Sequence, residues 1–113
     1  MNRRAEGTKG EALAAEYLKK HGYKIVAMSF SSSYGEIDLI AANKKIIAFV
    51  EVKTRKNDRY TKALEAVIPS KQMKIIKTAQ LWLLEHETKL QPRFDVIEVY
   101  TETGVINHIE NAF

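Results

Sequence analysis

The stretch KKIIAFVEVKTRK, residues 44–56, decides the fold of this chain, because it places two charges inside a run that otherwise has the composition of a core strand. Its apolar residues are rich in β-branched types, which favour strands. Strand residues alternate between the two faces of a sheet, so Glu51 and Lys53 share one face with Ile47 and Phe49. The other face is purely apolar and consists of Ile46, Ala48, Val50 and Val52. We predict that the apolar face is directed to the core and that the mixed face holds a site.

A second strand with the same two-residue step lies upstream in GEIDLIA, where Glu36 and Asp38 share a face. The connection ANKK is short, so the two strands are predicted to pair as an antiparallel hairpin. Asp38 and Glu51 then lie on neighbouring strands at similar distances from the turn. Two carboxylates placed in this way could share a divalent cation, and Lys53 could reach a water or phosphate oxygen beside it.

Ion pairing on a solvated sheet face is the alternative interpretation of these charges, because exposed strands often carry Glu and Lys. The combination of acids on two neighbouring strands with a further acid on a helix favours a site. That helix is predicted to end at His21, and it carries Glu11 on the same apolar stripe as Ala15 and Leu18. Clustered carboxylates repel one another and are costly to desolvate. Bound Mg²⁺ or Mn²⁺ would remove that cost, because both ions prefer oxygen ligands.

The remaining elements complete an α/β pattern. The first helix is predicted to begin at Thr8 or Gly10, and Ser70 is predicted to be the N-cap of a long amphipathic helix. Three further strands are predicted, over residues 23–28, 93–100 and 105–112. The order helix, three strands, helix, two strands predicts a mixed β-sheet flanked by helices, with a parallel crossover beside the antiparallel hairpin. No linker composition interrupts the chain, so residues 1–113 are predicted to form one domain.

The composition limits the class of protein. The chain has 113 residues, no cysteine and a formal net charge of +4. The absence of cysteine excludes a disulfide framework, a thiol nucleophile and thiolate metal ligands. No apolar segment follows Arg3 and Arg4, which predicts that there is no signal peptide, and no apolar run reaches the roughly 18 residues of a membrane span. We therefore expect a cytoplasmic protein without a membrane partner, whose positive charge is compatible with a polyanionic partner.

Asp38, followed thirteen residues later by Glu51-Val52-Lys53 and preceded by the helical Glu11, resembles the PD-(D/E)xK nuclease superfamily. Within it, the segments GEIDLIA, FVEVKTR and RFDVI, in this order, are similar to the YraN-like family of bacterial proteins, which are in turn likened to archaeal Holliday junction resolvases. The similarity spans residues 7–99. It implies a restriction-endonuclease-like fold of order α-β-β-β-α-β-β and metal-dependent hydrolysis of phosphodiester bonds in structured or branched DNA.

The resemblance also implies a role for each matching residue. Asp38 and Glu51 would be the carboxylates that bind Mg²⁺ or Mn²⁺, and Glu11 would support the metal or its waters. Lys53 would orient or activate the attacking water and stabilise the charge that develops on the phosphate. These four residues form the implied catalytic set. Lys71, at the start of the long helix, would face a phosphate.

The residues after the third strand are basic, and they would contact the nucleic-acid backbone if DNA binds there. The predicted contacts are Arg55, Lys56, Arg59 and Lys62, with Tyr60 as a residue that stacks on a base or bonds a phosphate. A solvated loop is the alternative interpretation of this stretch.

Two further groups of polar residues are assigned no role in the site. Arg93 and Asp95 share a strand face and are interpreted as a structural pair. The histidines lack the spacing of metal ligands and are expected to be ordinary surface or capping residues: His21, His86 and His108.

Three functions stay open from the sequence. The first is a metal-dependent endonuclease. The second is a catalytically inactive nuclease-fold module that binds nucleic acid, DNA by preference, in a repair, recombination or uptake complex. The third is a protein-interaction domain that keeps its acidic face for folding reasons. Resolvase-like relatives act as symmetric dimers, so the resemblance also implies a homodimer.

Overall fold

A five-stranded sheet with a helix on each face organises the chain. The structure is a computed structural model that describes residues 3–57 and 68–113, with the backbone alone for residues 3–8. Its elements are α1 (Arg3–Lys20), β1 (Lys24–Ser31), β2 (Glu36–Ala42), β3 (Ile46–Arg55), α2 (Pro69–Glu85), β4 (Gln91–Tyr100) and β5 (Val105–Ile109). The predicted order of helices and strands is confirmed, and so is the mixed sheet flanked by helices.

The strands lie in the sheet in their sequence order, which makes β3 the central strand. β2 and β3 form the predicted antiparallel hairpin. Asn43 Oδ1 shapes its turn by accepting hydrogen bonds from the N–H groups of Lys45 at 2.9 Å and Ile46 at 2.8 Å. β3 and β4 are parallel, and α2 lies in the connection between them, as predicted. β3 is paired on both sides up to Val50, and beyond it β4 alone pairs with the backbone that carries Glu51 and Lys53.

Both faces of the sheet are buried, so the prediction of one core face and one mixed face is wrong. α1 covers one face, over a cluster formed by Ala14, Ala15, Leu18, Leu39, Ala41, Ala48, Val50, Ile97 and Val99. α2 covers the other face, over a cluster formed by Ile37, Ile40, Ile47, Phe49, Ile75, Ala79, Trp82 and Val96. A strand with a helix on either side is apolar on both faces. The mixed face of β3 is therefore core at Ile47 and Phe49 and becomes polar only from Glu51 onwards.

The two helices begin differently from the sequence prediction. α1 starts at Arg3 rather than at Thr8 or Gly10. α2 starts at Pro69 after an N-cap at Ile68 that has no side-chain hydrogen bond, so the assignment of Ser70 as the N-cap is wrong. Proline suits the first helical position, because its fixed φ is already helical and its missing N–H would have no partner there. No helix that the described residues form is long and apolar enough to cross a membrane.

A buried ion network ties β5 and the residues after it to β4. Asp95 is fully buried and accepts hydrogen bonds from Arg93 Nε at 2.8 Å, Arg93 Nη2 at 2.7 Å and the Asn111 N–H at 3.1 Å. His108 Nε2 lies 2.8 Å from Asp95 Oδ2. Burial acts to raise the pKa of Asp95, but the bonds from His108 and Arg93 outweigh it and hold that pKa below its usual value. The predicted structural pair of Arg93 and Asp95 is confirmed.

The three histidines lie in two kinds of surroundings. His21 and His86 follow the last residues of α1 and α2, and their Nδ1 atoms lie 2.8 Å from Tyr17 O and 2.9 Å from Trp82 O. The expectation of capping is confirmed for these two. It is wrong for His108, whose side chain is only 7% exposed and contacts Asp95. Strand alternation alone did not reveal that an acid on β4 faces this position on β5.

α1 approaches β3 closely at Gly10, which is buried against Thr54. A Cβ atom on Gly10 would overlap Thr54 Oγ1. Glycine therefore allows the helix to lie low on the sheet, because it has no side chain to hold the two backbones apart. The next residue along the helix, Glu11, thereby reaches the polar end of β3, where it interacts with the charge of Glu51.

We expect Gly10→Ala to destabilise the fold by about 1–3 kcal/mol, because the new methyl group overpacks the contact with Thr54. At an unobstructed helix position the same change stabilises by up to about 1 kcal/mol, so the sign of the effect is diagnostic. Thr54→Ala in the same chain removes the obstructing Oγ1 and should recover most of the loss. Urea unfolding of the wild type, both single variants and the double variant measures this coupling. A Gly10→Ala protein that is more stable than the wild type would contradict the close approach.

Candidate functional site

The pairing between β2 and β3 ends before the two strands do. The last paired residues of this ladder are Leu39 and Val50. Beyond them the side chain of Asp38 takes the place of a backbone acceptor, because its Oδ2 accepts a hydrogen bond from the Val52 N–H at 2.8 Å. Ile37 packs under α2 whereas Leu39 packs under α1, so the strict alternation of β2 is broken at Asp38. The irregularity places a carboxylate at the mouth of the gap between the strands.

Four carboxylates, here called the acidic cleft, gather at this gap: Glu11 of α1, Glu36 and Asp38 of β2, and Glu51 of β3. The pKa of Asp38 is raised to about 7, first by burial of the carboxyl group and next by the negative charge of Glu51. The hydrogen bond from Val52 opposes this shift, and the charges of Glu11 and Glu36 add to it. The acidic cleft therefore concentrates negative charge that a proton or a cation would relieve.

Serine hydroxyls from the end of β1 line the acidic cleft. Ser29 Oγ donates to Glu11 Oε1 at 3.4 Å, and Ser31 Oγ donates to Glu36 Oε2 at 3.3 Å. Burial is the largest cause of the raised pKa of Glu11, and the charges of Glu36 and Glu51 contribute to it. Ser29 has a φ of 54°, in the left-handed region that residues other than glycine seldom adopt. Strained backbone of this kind concentrates at functional sites.

Two lysines compensate the charge of Glu51, which is only 6% exposed. Lys71 Nζ of α2 lies 3.0 Å from Glu51 Oε1, and Lys53 Nζ lies 3.9 Å from the same oxygen. Burial acts to lower the pKa of Lys71, but its hydrogen bond to Glu51 outweighs burial and raises that pKa. The pKa of Lys53 is lowered, mainly by burial and then by the charge of Lys71. Lys53 is thus a half-buried amine, beside a carboxylate, that releases its proton more easily than an exposed lysine.

The predicted catalytic residues therefore gather around one cleft, together with two of the predicted DNA contacts: Lys71 contacts Glu51, and the charge of Arg55 acts on Lys53. Arg55 and Lys56 follow along β3, where their carbonyl groups accept hydrogen bonds from the N–H groups of Thr101 at 2.7 Å and Glu102 at 2.9 Å. These bonds anchor the backbone at this point to the segment after β4. Arg59, together with Tyr60 and Lys62, lies outside the described residues.

Sequence reasoning left two residues without a role, Glu36 of the acidic cleft and Ser29, which bonds to Glu11 of the cleft. Glu36 was recognisable by its two-residue step to Asp38, and its charge contributes to the raised pKa of that residue. Ser29 carried no sequence signal, because its contact with Glu11 joins the end of β1 to α1. Only the docking of the helix on the sheet brings these two side chains together.

The donor set of the acidic cleft fits a divalent cation that keeps part of its water shell. Within residues 3–57 and 68–113, no three Asp, Glu or His side chains are arranged so that they could hold a metal ion. Mg²⁺ is commonly bound by one or two carboxylates, with waters and substrate phosphates in the other positions. Asp38 and Glu51 supply two such carboxylates. Burial is the main cause of the raised pKa of Asp38, and a cation at this position would neutralise the negative charges that add to it.

The free energy of unfolding should decrease as pH rises from about 4 to 7 because of Asp38, and Asp38→Asn should remove this dependence. The pKa of Asp38 is raised in the fold, so the unfolded chain loses this proton first as pH rises. The stabilising effect of the proton is therefore complete below about pH 4 and lost by about pH 7, a change on the order of a few kcal/mol. Asparagine is neutral throughout and can still accept the bond from Val52. Urea unfolding in the presence of chelator at about pH 4, 5.5 and 8 measures the effect. The free energy of unfolding of Asp38→Asn should increase relative to that of the wild type as pH rises. A constant difference between the two proteins would show that Asp38 has an ordinary pKa.

Comparison with known proteins places the chain in a family. The model of the uncharacterised protein family UPF0102 matches residues 10–99, a range that includes all four acids of the cleft. A UPF0102 protein of Caldanaerobacter subterraneus subsp. tengcongensis is 47% identical over 119 aligned residues, which cover 100% of this chain and 98% of that protein. A UPF0102 protein of Syntrophomonas wolfei subsp. wolfei is 46% identical, with 100% of both chains covered. One of Vibrio vulnificus is 45% identical, with 99% of this chain and 94% of that protein covered. The resemblance to the YraN-like family is thereby confirmed, and the chain belongs to the uncharacterised protein family UPF0102.

Proposed function

We propose that this protein is a metal-dependent endonuclease that hydrolyses phosphodiester bonds in structured or branched DNA. The observation that carries the proposal is the combination of Asp38, Glu51 and Lys53 at the opening between β2 and β3. Acids placed beside one another in buried or half-buried positions cost folding free energy, and such groups are found preferentially at functional sites. The PD-(D/E)xK resemblance implies the same residues in the same roles. DNA as the nucleic acid and a homodimer as the working form stay predictions of that resemblance.

Asp38 and Glu51 would hold Mg²⁺ or Mn²⁺, and Glu11 would bind waters of the ion. When bound, the ion supplies Lewis-acid activation of a water molecule and of the scissile phosphate. Glu36 adds negative potential from the exposed rim of the acidic cleft, which attracts a cation. The serines that bond Glu11 and Glu36 orient these two carboxylates.

Lys53 contributes chemistry of its own. Its Nζ lies 3.9 Å from Glu51 Oε1 and so stands next to the place where a phosphate would approach a cation on Glu51. An ammonium group fixed there stabilises the negative charge that builds on the phosphate oxygens. Burial and the neighbouring charge of Lys71 lower the pKa of Lys53, which also suits exchange of a proton with the attacking water.

Purified protein is expected to cleave junction or flap DNA in the presence of Mg²⁺ or Mn²⁺, and both Glu51→Gln and Lys53→Met should lower the rate at least about 100-fold. Gel analysis of labelled substrates measures this loss. Glu16→Gln and Lys19→Met are matched controls, because they remove the same charges from an exposed pair on α1 and should leave cleavage unchanged. Equal cleavage by the wild type and both cleft variants would identify a contaminating nuclease and contradict the proposal.

A catalytically inactive nuclease-fold module that binds nucleic acid is the second candidate. The contact of Lys71 Nζ with Glu51 Oε1 at 3.0 Å favours it, because the ammonium group occupies an oxygen that a metal ion would need. In such a module the lysine would be the permanent counter-charge of Glu51. In an endonuclease it would give way to the cation and become available to a phosphate. The two candidates therefore differ in the response of metal binding to the loss of Lys71.

Lys71→Met is expected to increase the affinity for Mn²⁺ about tenfold, a gain of about 1.4 kcal/mol, because it removes a cation that competes for Glu51. Titration calorimetry with Mn²⁺ alone measures the change. Lys20→Met, an exposed lysine at the end of α1, is the control for net charge and should leave the affinity unchanged. If neither the wild type nor Lys71→Met takes up Mn²⁺, the endonuclease proposal fails and the binding module is retained.

A further inference from the structure

A row of lysines on α2 leads away from the acidic cleft. Lys71, Lys74 and Lys77 follow one another at three-residue steps, so they lie along one side of the helix, about 4.5 Å apart in rise. No acidic residue precedes Glu85 in α2. A lysine in the first turn of a helix, such as Lys71, faces the positive end of the helix dipole, which is unfavourable, and the effect fades beyond that turn. The helix dipole therefore gives no reason for this row.

The loop between β1 and β2 lies against the same side of α2. Ser32 Oγ is 2.8 Å from the hydroxyl of Thr78, which is buried on α2 and donates to Lys74 O at 2.8 Å. The Cα of Gly35 packs so near to α2 that an added Cβ would lie 3.5 Å from Lys74 Cβ. The Tyr34 N–H donates to Ser32 Oγ at 3.0 Å. The loop is thus held on the helix at several points, and the backbone of Tyr34 is fixed.

The ring of Tyr34 is exposed beside the row. The residue is 47% accessible, and Lys77 Nζ lies 5.2 Å from the centre of the ring. A cation at this distance holds the ring in place without covering it in a core. Exposed aromatic rings interleaved with cations are typical of surfaces that bind single-stranded nucleic acid, where bases stack on the rings and phosphates contact the cations.

We infer that Tyr34, Lys74 and Lys77, here called the strand surface, bind an unpaired nucleic-acid strand that runs into the acidic cleft. The surface is continuous with the cleft, because Lys71 belongs to the same row and contacts Glu51 at 3.0 Å. The ligand is an unpaired strand because the face of a base is available for stacking on a side chain only when the base has left the duplex. The inference rests on the proposed function for its class of ligand, and it adds which part of a branched substrate is held and by which residues.

A second basic group allows this surface to be tested against net charge. Lys44 and Lys45 are exposed in the turn between β2 and β3, at the end of the hairpin opposite to Asp38 and Glu51. A double substitution to methionine there removes the same charge as a double substitution on α2. It leaves the acidic cleft and the strand surface intact.

The test is fluorescence anisotropy with a labelled single-stranded oligonucleotide and its duplex, with metal chelated so that no cleavage occurs. Tyr34→Ala should weaken binding of the single strand about 5- to 150-fold, whereas Tyr34→Phe, which keeps the ring, should bind as the wild type does. Combined Lys74→Met and Lys77→Met should reduce the slope of log affinity against log salt by about 1.4, or about 0.7 for each lost phosphate contact. Combined Lys44→Met and Lys45→Met should leave that slope unchanged.

Equal losses in the two double variants would show binding by net charge alone and would overturn the inference, as would wild-type binding by Tyr34→Ala. The outcome is separate from that of the cleavage assay. A wild type that binds the single strand through Tyr34 but cleaves no DNA retains the strand surface and contradicts the endonuclease. If the protein cleaves DNA but its binding does not depend on Tyr34, the endonuclease is retained and the strand surface is contradicted. A wild type that binds neither oligonucleotide contradicts the strand surface, and the cleavage assay on junction and flap DNA then decides the endonuclease separately.

Discussion

The buried carboxylate of Glu51 is the constraint on which the arrangement of the site depends. Removing one partner from a buried ion pair leaves an uncompensated charge, which typically costs about 3–5 kcal/mol. Glu51 avoids this cost through Lys53 on its own strand and Lys71 on α2. The first turn of α2 is thereby tied to the polar end of β3. Because α2 packs on one face of the sheet, its row of lysines begins beside the acidic cleft.

One fully buried and one half-buried aspartate show how satisfied and unsatisfied acids differ. Asp95 is surrounded by Arg93, His108 and a backbone N–H, and its pKa is lowered. Asp38 receives the Val52 N–H but faces other carboxylates, and its pKa is raised to about 7. The first arrangement stabilises the native fold. The second weakens it at neutral pH, and a cost of this kind is typical of sites where function opposes stability.

The regular strand pairing ends next to the acidic cleft. β3 is paired on both sides through its apolar part, which fixes the backbone near Glu51. β2 pairs with β3 only from Leu39 onwards, and the left-handed Ser29 re-aims the end of β1 toward Glu11. Gly10 allows α1 to approach β3 at the same level. A rigid central strand surrounded by local irregularities is how a fold can hold several like charges together without losing its core.

The sequence by itself determined the order of the elements, the hairpin, the parallel crossover and the grouping of Asp38, Glu51 and Lys53. These follow from strand alternation and turn length, which are local. It did not determine that both sheet faces are buried, that Pro69 rather than Ser70 opens α2, or that His108 meets Asp95. The contacts of Lys71 with Glu51, of Ser32 with Thr78 and of Lys77 with Tyr34 were equally hidden. Each joins a helix to a strand or loop far away in sequence, and only the docking of the helices on the sheet decides which side chains meet.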